Sequence, residues 1–328
     1  MLGRRDLLLG LAAVGAAAAA QTPPPRRDGA TVGGLGEPAE TIDLWPRGAP
    51  GMPRVPLVEV VDERSKDADL TDRAVHGIAR PRMVVFRPAV PNGAAVLVTP
   101  GGGYKWVVID KEGYEVARWL SARGFTVFVL FYRLPGDGWA AGPDVALADA
   151  QRAMRLIRHR AQGWGVMPDR VAAMGFSAGG HVCADLATRF DAATYRPVDA
   201  ADRLSARPDL AAPIYAVQSM TPPLAHPGSR VLLLGANPTP AQERAHTPAL
   251  NVTKRTPPTF LVHAEDDGTV PVGNTLELRA ALVAAGVPVE MHLFTHGGHG
   301  FGLRRAMGKP AAAWPDLFLA WAKSMGLA

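Results

Sequence analysis

The run Phe125-Thr126-Val127-Phe128-Val129-Leu130-Phe131-Tyr132 leaves few options for the fold. It is β-branched and aromatic, which suits an extended strand. It shows no alternation of apolar and polar residues, so neither face of that strand is suited to water. A strand of this kind belongs inside a sheet covered on both faces, the habit of parallel sheets flanked by helices. The neighbouring segments agree. Val55 to Val61, Met83 to Arg87 and Ala94 to Thr99 read as strands before it, and Val171 to Phe176, Ile214 to Val217, Thr259 to His263 and Val287 to Phe294 as strands after it. Helical patterns fall between them at 112–123, 144–161, 178–189 and 274–285. In the second of these, Leu147, Ala150, Met154, Ile157 and Ala161 recur at helical spacing. Pro288 near the start of the last strand predicts an edge position, where its missing N–H costs no ladder bond. The expected fold is α/β, a mainly parallel central sheet with helices on both faces.

Composition narrows the class. With 48% hydrophobic and 20% charged residues in 328, the chain can bury a large core and is not a disordered polymer. One cysteine, Cys183, excludes a disulfide framework and a thiolate zinc cluster, and reads as buried filler on the helix after Ser177. The net charge of +5 comes from 35 basic and 30 acidic residues that are interspersed, so no nucleic-acid partner is expected. Residues 1–20 read as a signal peptide: Arg4-Arg5, then an uncharged apolar run from Leu7 to Ala20, too short for the ~20 residues of a membrane span. The paired arginines resemble a twin-arginine signal, with a general secretory signal as the alternative. The expectation is a bacterial protein, periplasmic or secreted, with no stable membrane anchor after cleavage. Residues 21–52, rich in Pro and Gly, read as a linker, and 53–328 as one catalytic domain.

Candidate chemistry lies at the strand ends. Gly175-Phe176-Ser177-Ala178-Gly179 sits between a predicted strand and a predicted helix. A serine on so sharp a turn is held in strained backbone with its hydroxyl exposed to a cleft, and the flanking glycines let strand and helix approach. Pro100-Gly101-Gly102-Gly103-Tyr104 follows another buried strand. Its glycines can turn amides toward a substrate oxygen, and Gly102, Gly103 and Ala178 are the candidate oxyanion donors. A phosphate loop is the alternative, but no G-K-[ST] follows. A hydroxyl nucleophile needs a base, and the base an orienting acid. His299, between glycines, is the candidate base, with His296 the alternative. Asp267 of Asp267-Gly268-Thr269-Val270-Pro271 is the candidate acid, with Asp266 as runner-up. The order Ser177, Asp267, His299 is that expected of α/β-hydrolases. His292, His296 and His299 could be read as a metal set, but no carboxylate nearby in sequence completes a hydrolytic zinc motif, so no metal or organic cofactor is expected. His181, His226 and His263 read as surface or core-edge residues. Tyr104 and Trp106 are candidate substrate contacts, Trp106 either stacking on a sugar or covering the core.

These segments together resemble the α/β-hydrolase superfamily, and within it the exported esterases related to acetylxylan esterases and the BD-FAE (feruloyl/acetyl esterase) type. The matching stretches are Leu44-Trp45-Pro46 with Gly48-Ala49-Pro50-Gly51, PGGGY at 100–104, DKEGYEVARWL at 110–120 and DAQRAMRLIRHRA at 149–161. MGFSAGGHVCADLA at 174–187, PPTFLVHAEDDGTVP at 257–271 and GGHGFGL at 297–303 complete them. The resemblance implies a serine esterase that removes acetyl or other small acyl groups from carbohydrate, with Ser177 as nucleophile, Asp267 as acid and His299 as base. Its partner would be a small-molecule or oligosaccharide ester. Lys105-Trp106 departs from the smaller residues usual after the glycine loop. A peptidase of the prolyl-oligopeptidase kind would carry a β-propeller for which the chain has no room. A lipase would carry an apolar lid; no amphipathic insertion is evident, although 190–228 is long enough for a small cap. A carbohydrate-binding relative without catalysis is the reading from another class.

Overall fold

A computed structural model describes residues 38–328. The strands are β1 (Glu40–Asp43), β2 (Val60–Glu63), β3 (Arg73–His76), β4 (Arg82–Phe86), β5 (Ala95–Thr99), β6 (Val107–Val108), β7 (Thr126–Phe131), β8 (Val171–Phe176), β9 (Ala211–Ile214), β10 (Thr259–Ala264) and β11 (Val289–Phe294). The α-helices are α1 (Glu115–Ser121), α2 (Val145–His159), α3 (Ser177–Arg189), α4 (Pro227–Leu234), α5 (Pro240–Ala245), α6 (Gly273–Ala284) and α7 (Trp314–Ser324). An eight-stranded sheet runs in the order β1-β4-β7-β5-β8-β9-β10-β11, and β2-β3-β6 form a small separate sheet. The pairs β1–β4 and β4–β7 are antiparallel, and every later pair in the large sheet is parallel. This is the α/β-hydrolase fold.

Every residue of β5, β7, β8 and β10 is buried, as strands covered by helices on both faces must be. The β11 strand is only half-buried throughout and lies at the sheet edge, where Pro288 costs no ladder bond. Register sets the site. In the β5–β8 ladder Thr99 faces Gly175, so the glycine loop and the serine turn leave the sheet side by side. In the β10–β11 ladder Ala264 faces Phe294, so the loops carrying Asp267 and His299 do the same. Among the described residues no helix is long and apolar enough to cross a membrane.

Three expectations need correction. The expected signal peptide and the first part of the expected linker lie outside the described residues, but the linker's last part is not a linker. Residues 40–43 form β1 on the sheet edge, and Leu44, Trp45 and Ala49 are buried in the core. The Pro/Gly composition hid apolar anchors whose burial and ladder bonds fix the segment. Second, Val55 to Val61 is not one strand. Val55 and Val58 are exposed, Pro56 between them has no N–H to give, and only Val60 and Val61 enter β2. Third, the strand expected at Ile214 to Val217 lies earlier, as β9 at Ala211–Ile214, an inner strand of the large sheet within the stretch 190–228 that was long enough for a small cap.

A buried ion pair ties α2 to the segment after β7. The guanidinium of Arg133 and the carboxylate of Asp149 are both fully buried, with Nη2 2.8 Å from Oδ1. The indole Nε1–H of Trp45 donates to the same Oδ1 at 2.8 Å, and the Arg133 amide to Oδ2 at 2.9 Å. Asp149→Ala leaves the guanidinium buried without its counter-charge and is expected to cost about 3–5 kcal/mol, read as a fall in the urea midpoint. An unchanged midpoint would refute this account of the pair.

Candidate active site

Strand β8 ends with Phe176 in extended backbone, and α3 begins at once with Ser177 at φ +53°. A left-handed serine between strand and helix is a strained turn that exposes the side chain. Close packing makes the turn possible. A Cβ on Gly179 would lie 2.2 Å from the carbonyl oxygens of Thr99 and Pro100, and one on Gly175 2.2 Å from the Gly179 carbonyl oxygen. The Ser177 hydroxyl donates to His299 Nε2 at 2.8 Å, and His299 Nδ1–H donates to Asp267 Oδ2 at 2.7 Å. Three side chains far apart in sequence thus meet at the C-terminal edge of the parallel strands.

Asp267 is firmly held. Its Oδ1 accepts the amides of Thr269 and Val270, each at 2.9 Å. Its Oδ2 also receives Nε2–H of His263 at 3.2 Å, a bond shared with the Val270 carbonyl at 3.0 Å. The Thr275 hydroxyl lies 2.7 Å from His263 Nδ1 and holds the ring in this orientation. Burial acts to raise the Asp267 carboxyl, but the hydrogen bonds from His263 and His299 and from the Val270 amide outweigh it, holding the group well below the ordinary carboxylate range. A carboxyl depressed in the folded state adds stability above its unfolded value of about 4 and withdraws it as the pH falls below that value. Thermal melts from about pH 6 to about pH 3 are therefore expected to fall more steeply for the native chain than for Asp267→Asn. Equal slopes would remove Asp267 as a source of acid lability.

The runner-up residues are elsewhere. Asp266 is exposed, and its Oδ1 accepts the amides of Gly297 and Gly298 at 2.8 and 2.7 Å, so it anchors the histidine loop rather than the imidazole. His296 is exposed, 3.5 Å from Asp266. His292 bonds Glu290 on β11, and no group of three or more His, Cys, Asp or Glu suited to a metal occurs among the described residues. Cys183 is buried, its thiol pushed up to about 12 by burial.

The glycine loop passes beside Ser177. A Cβ on Gly101 would lie 2.9 Å from that of Ser177, and one on Gly102 (φ +134°) 2.2 Å from the Trp106 carbonyl oxygen. The amides of Gly102 and Gly103 have no acceptor among the described residues, and Ala178 opens the first turn of α3, where amides lack intrahelical partners. These amides can receive an oxyanion. The expected contact from Tyr104 is corrected: its left-handed backbone (φ +62°) turns the ring into the core, where the hydroxyl donates to His181 Nδ1 at 2.6 Å. Trp106 is half-buried, its indole N–H donating to Asp62 at 3.2 Å. His181 and His263, expected at the surface or core edge, are both buried; His263 bonds Asp267, and His181 bonds Tyr104 and the His246 carbonyl in the core. His226 is half-buried and caps α4, its Nδ1 accepting the Ser229 amide at 3.2 Å. Sequence reasoning passed over Lys111, Glu112 and Tyr215, all buried beside the site. The one available signal was three adjacent charged residues, Asp110-Lys111-Glu112, directly after the apolar run Trp106 to Ile109.

A serine at a strand-to-helix turn, bonded to an imidazole and through it to a carboxylate above a parallel sheet, defines a serine hydrolase of the α/β-hydrolase superfamily. The BD-FAE family model matches residues 85–282, and the chain belongs to that family. Among curated relatives, an acetylxylan esterase of Xylanibacter ruminicola is 32% identical over 232 residues, 67% of this chain and 44% of that protein. An endo-1,4-beta-xylanase B of Butyrivibrio fibrisolvens is 36% identical over 208 residues, 62% of this chain and 32% of that protein. The chain thus spans less than half the length of these two relatives. The crystal structure of an acetyl ester-xyloside bifunctional hydrolase from Caldicellulosiruptor lactoaceticus aligns with TM-score 0.73 at 34% identity, covering 90% of this chain and 99% of that one.

Proposed function

We propose that this protein is a serine esterase that removes small acyl groups, chiefly acetyl, from carbohydrate such as acetylated xylan or xylo-oligosaccharides. The continuous hydrogen-bonded line from the Ser177 hydroxyl through His299 to Asp267 carries the reading. The names of the acetylxylan esterase and the acetyl ester-xyloside hydrolase support the acyl group and the sugar.

The reaction follows from the geometry. The ester carbonyl oxygen enters among the amides of Gly102, Gly103 and Ala178. His299 Nε2 takes the hydroxyl proton as Ser177 attacks, and Asp267 stabilises the imidazolium without itself being protonated. The tetrahedral oxyanion is held by amides fixed in advance, each such donor being worth roughly 3–4 kcal/mol of barrier. His299 then gives its proton to the departing sugar oxygen, leaving an acyl-serine. Water repeats the sequence with His299 as base, freeing acetate and restoring Ser177. Export rests on the pattern of residues 1–20 and is part of the same proposal. Acetate release from acetylated xylan, measured against acetylated monosaccharides and feruloyl esters, tests the substrate. Faster turnover of the polymer or its oligomers is expected, and release from feruloyl esters alone would overturn the acetyl assignment.

A further inference from the structure

Three consecutive charged residues, Asp110, Lys111 and Glu112, are all buried, at 3%, 5% and 3% exposure. Successive side chains of an α-helix point about 100° apart, so three in a row are buried only where the helix is covered on more than one side, as α2 and α3 are. These three lie in a π-helical turn, Asp110–Tyr114, that precedes α1 and is enclosed by the loops of the active site. Such turns recur at functional sites. Asp110 takes two bonds from the Arg73 guanidinium, at 2.9 and 2.8 Å. Glu112 faces the catalytic loops. Its Oε2 accepts the Gly101 amide at 3.0 Å, and its Oε1 accepts the Tyr215 hydroxyl at 3.1 Å. That hydroxyl in turn accepts the Gly302 amide at 3.0 Å, and the Tyr215 ring meets the His299 imidazole edge-on, centroids 5.4 Å apart. One carboxylate therefore ties the loop of the oxyanion amides to the loop of the base.

A mere core position would not need a charge. Burying a carboxylate is costly, and an apolar side chain of that size would pack the space without the penalty. Its charge is also of the wrong sign to lie beneath a developing oxyanion. Lys111 answers both points: its Nζ lies 3.8 Å from Glu112 Oε1, and a Cβ on Gly300 would come within 3.0 Å of that Nζ. The ammonium offsets the carboxylate under the floor of the site and lies against the histidine loop.

We propose that Glu112 is a positioning residue for both halves of the catalytic centre, with Lys111 neutralising its charge. The inference deepens the esterase reading and rests on it. Glu112→Gln preserves shape but offers an N–H₂ where the second acceptor is needed. It is expected to lower kcat for p-nitrophenyl acetate about 10²-fold with KM moving less than about threefold, because misplaced groups are felt in the transition state. The rate at which a fluorophosphonate labels Ser177 should fall in parallel. Tyr215→Phe keeps the carboxylate, cuts only its link to Gly302 and is expected to lower kcat about tenfold, again at nearly constant KM. A structural role alone would lower the melting temperature while kcat and labelling rate, taken well below both transitions, match the native chain, and that result overturns the proposal. If Glu112→Gln does not fold, Tyr215→Phe decides, and native kcat in it overturns the proposal equally. Failure of the native chain itself to be labelled at Ser177 would bring down the esterase reading first and this inference with it.

Discussion

Ser177→Ala is expected to lower kcat on p-nitrophenyl acetate by about 10⁴–10⁶-fold, with no labelling by a fluorophosphonate. The size follows from what the residue supplies. Without the hydroxyl no acyl-enzyme forms, and water must attack the ester directly. Only binding and the amides of the oxyanion loop remain to help. Stability should change little. The backbone at φ +53° is strained for serine and alanine alike, and the one bond lost is that to His299, whose side chain keeps some contact with solvent. A change within about 1 kcal/mol is expected by chemical denaturation. A folded variant retaining more than about 1% of native kcat would mean that another nucleophile carries the reaction.

How far the sequence carries this result depends on whether a property is local. The eight-residue apolar run around Phe128, the Gly-x-Ser-x-Gly turn and the glycine loop each name their own structure, because steric rules act within a few residues. That is why β5, β7, β8, β10 and Ser177 were legible, whereas β9, which no such motif marks, shares only Ile214 with the strand expected at Ile214 to Val217. Whether a residue faces the cleft is not local. Tyr104 follows three glycines and reads as a contact, yet a left-handed φ of its own turns it toward His181, which is 77 positions away in sequence. The anchors Leu44 and Trp45 were hidden by the prolines and glycines around them, because composition averages over residues that packing treats singly. The role of Glu112 was harder still to read, although three adjacent charges mark its position. Its partners are Gly101 and Tyr215, and only the π-turn, which no periodicity signals, aims it at both.

The same distinction separates the two adjacent acids, and mutation should separate them sharply. Asp267→Asn is expected to lower kcat about 10⁴-fold, whereas Asp266→Asn should cost no more than about tenfold. The amides of Thr269 and Val270 both donate to Asp267 Oδ1, so an asparagine there must place its carbonyl oxygen on that side. Its N–H₂ then replaces Oδ2, facing His299 Nδ1 and His263 Nε2. A donor opposite Nδ1 forces that nitrogen to accept, so the imidazole proton moves to Nε2. Nε2 is the atom that must take the proton of Ser177, and it can no longer do so. His263 is driven the same way but is held by Thr275 and the Val270 carbonyl, so the mismatch falls on His299. At Asp266 an asparagine oxygen can still accept the amides of Gly297 and Gly298, and the histidine loop stays in place. Steady-state kinetics on both variants at one pH decide the matter. The larger loss in Asp266→Asn would reassign the acid and remove Asp267 as the partner of His299 Nδ1.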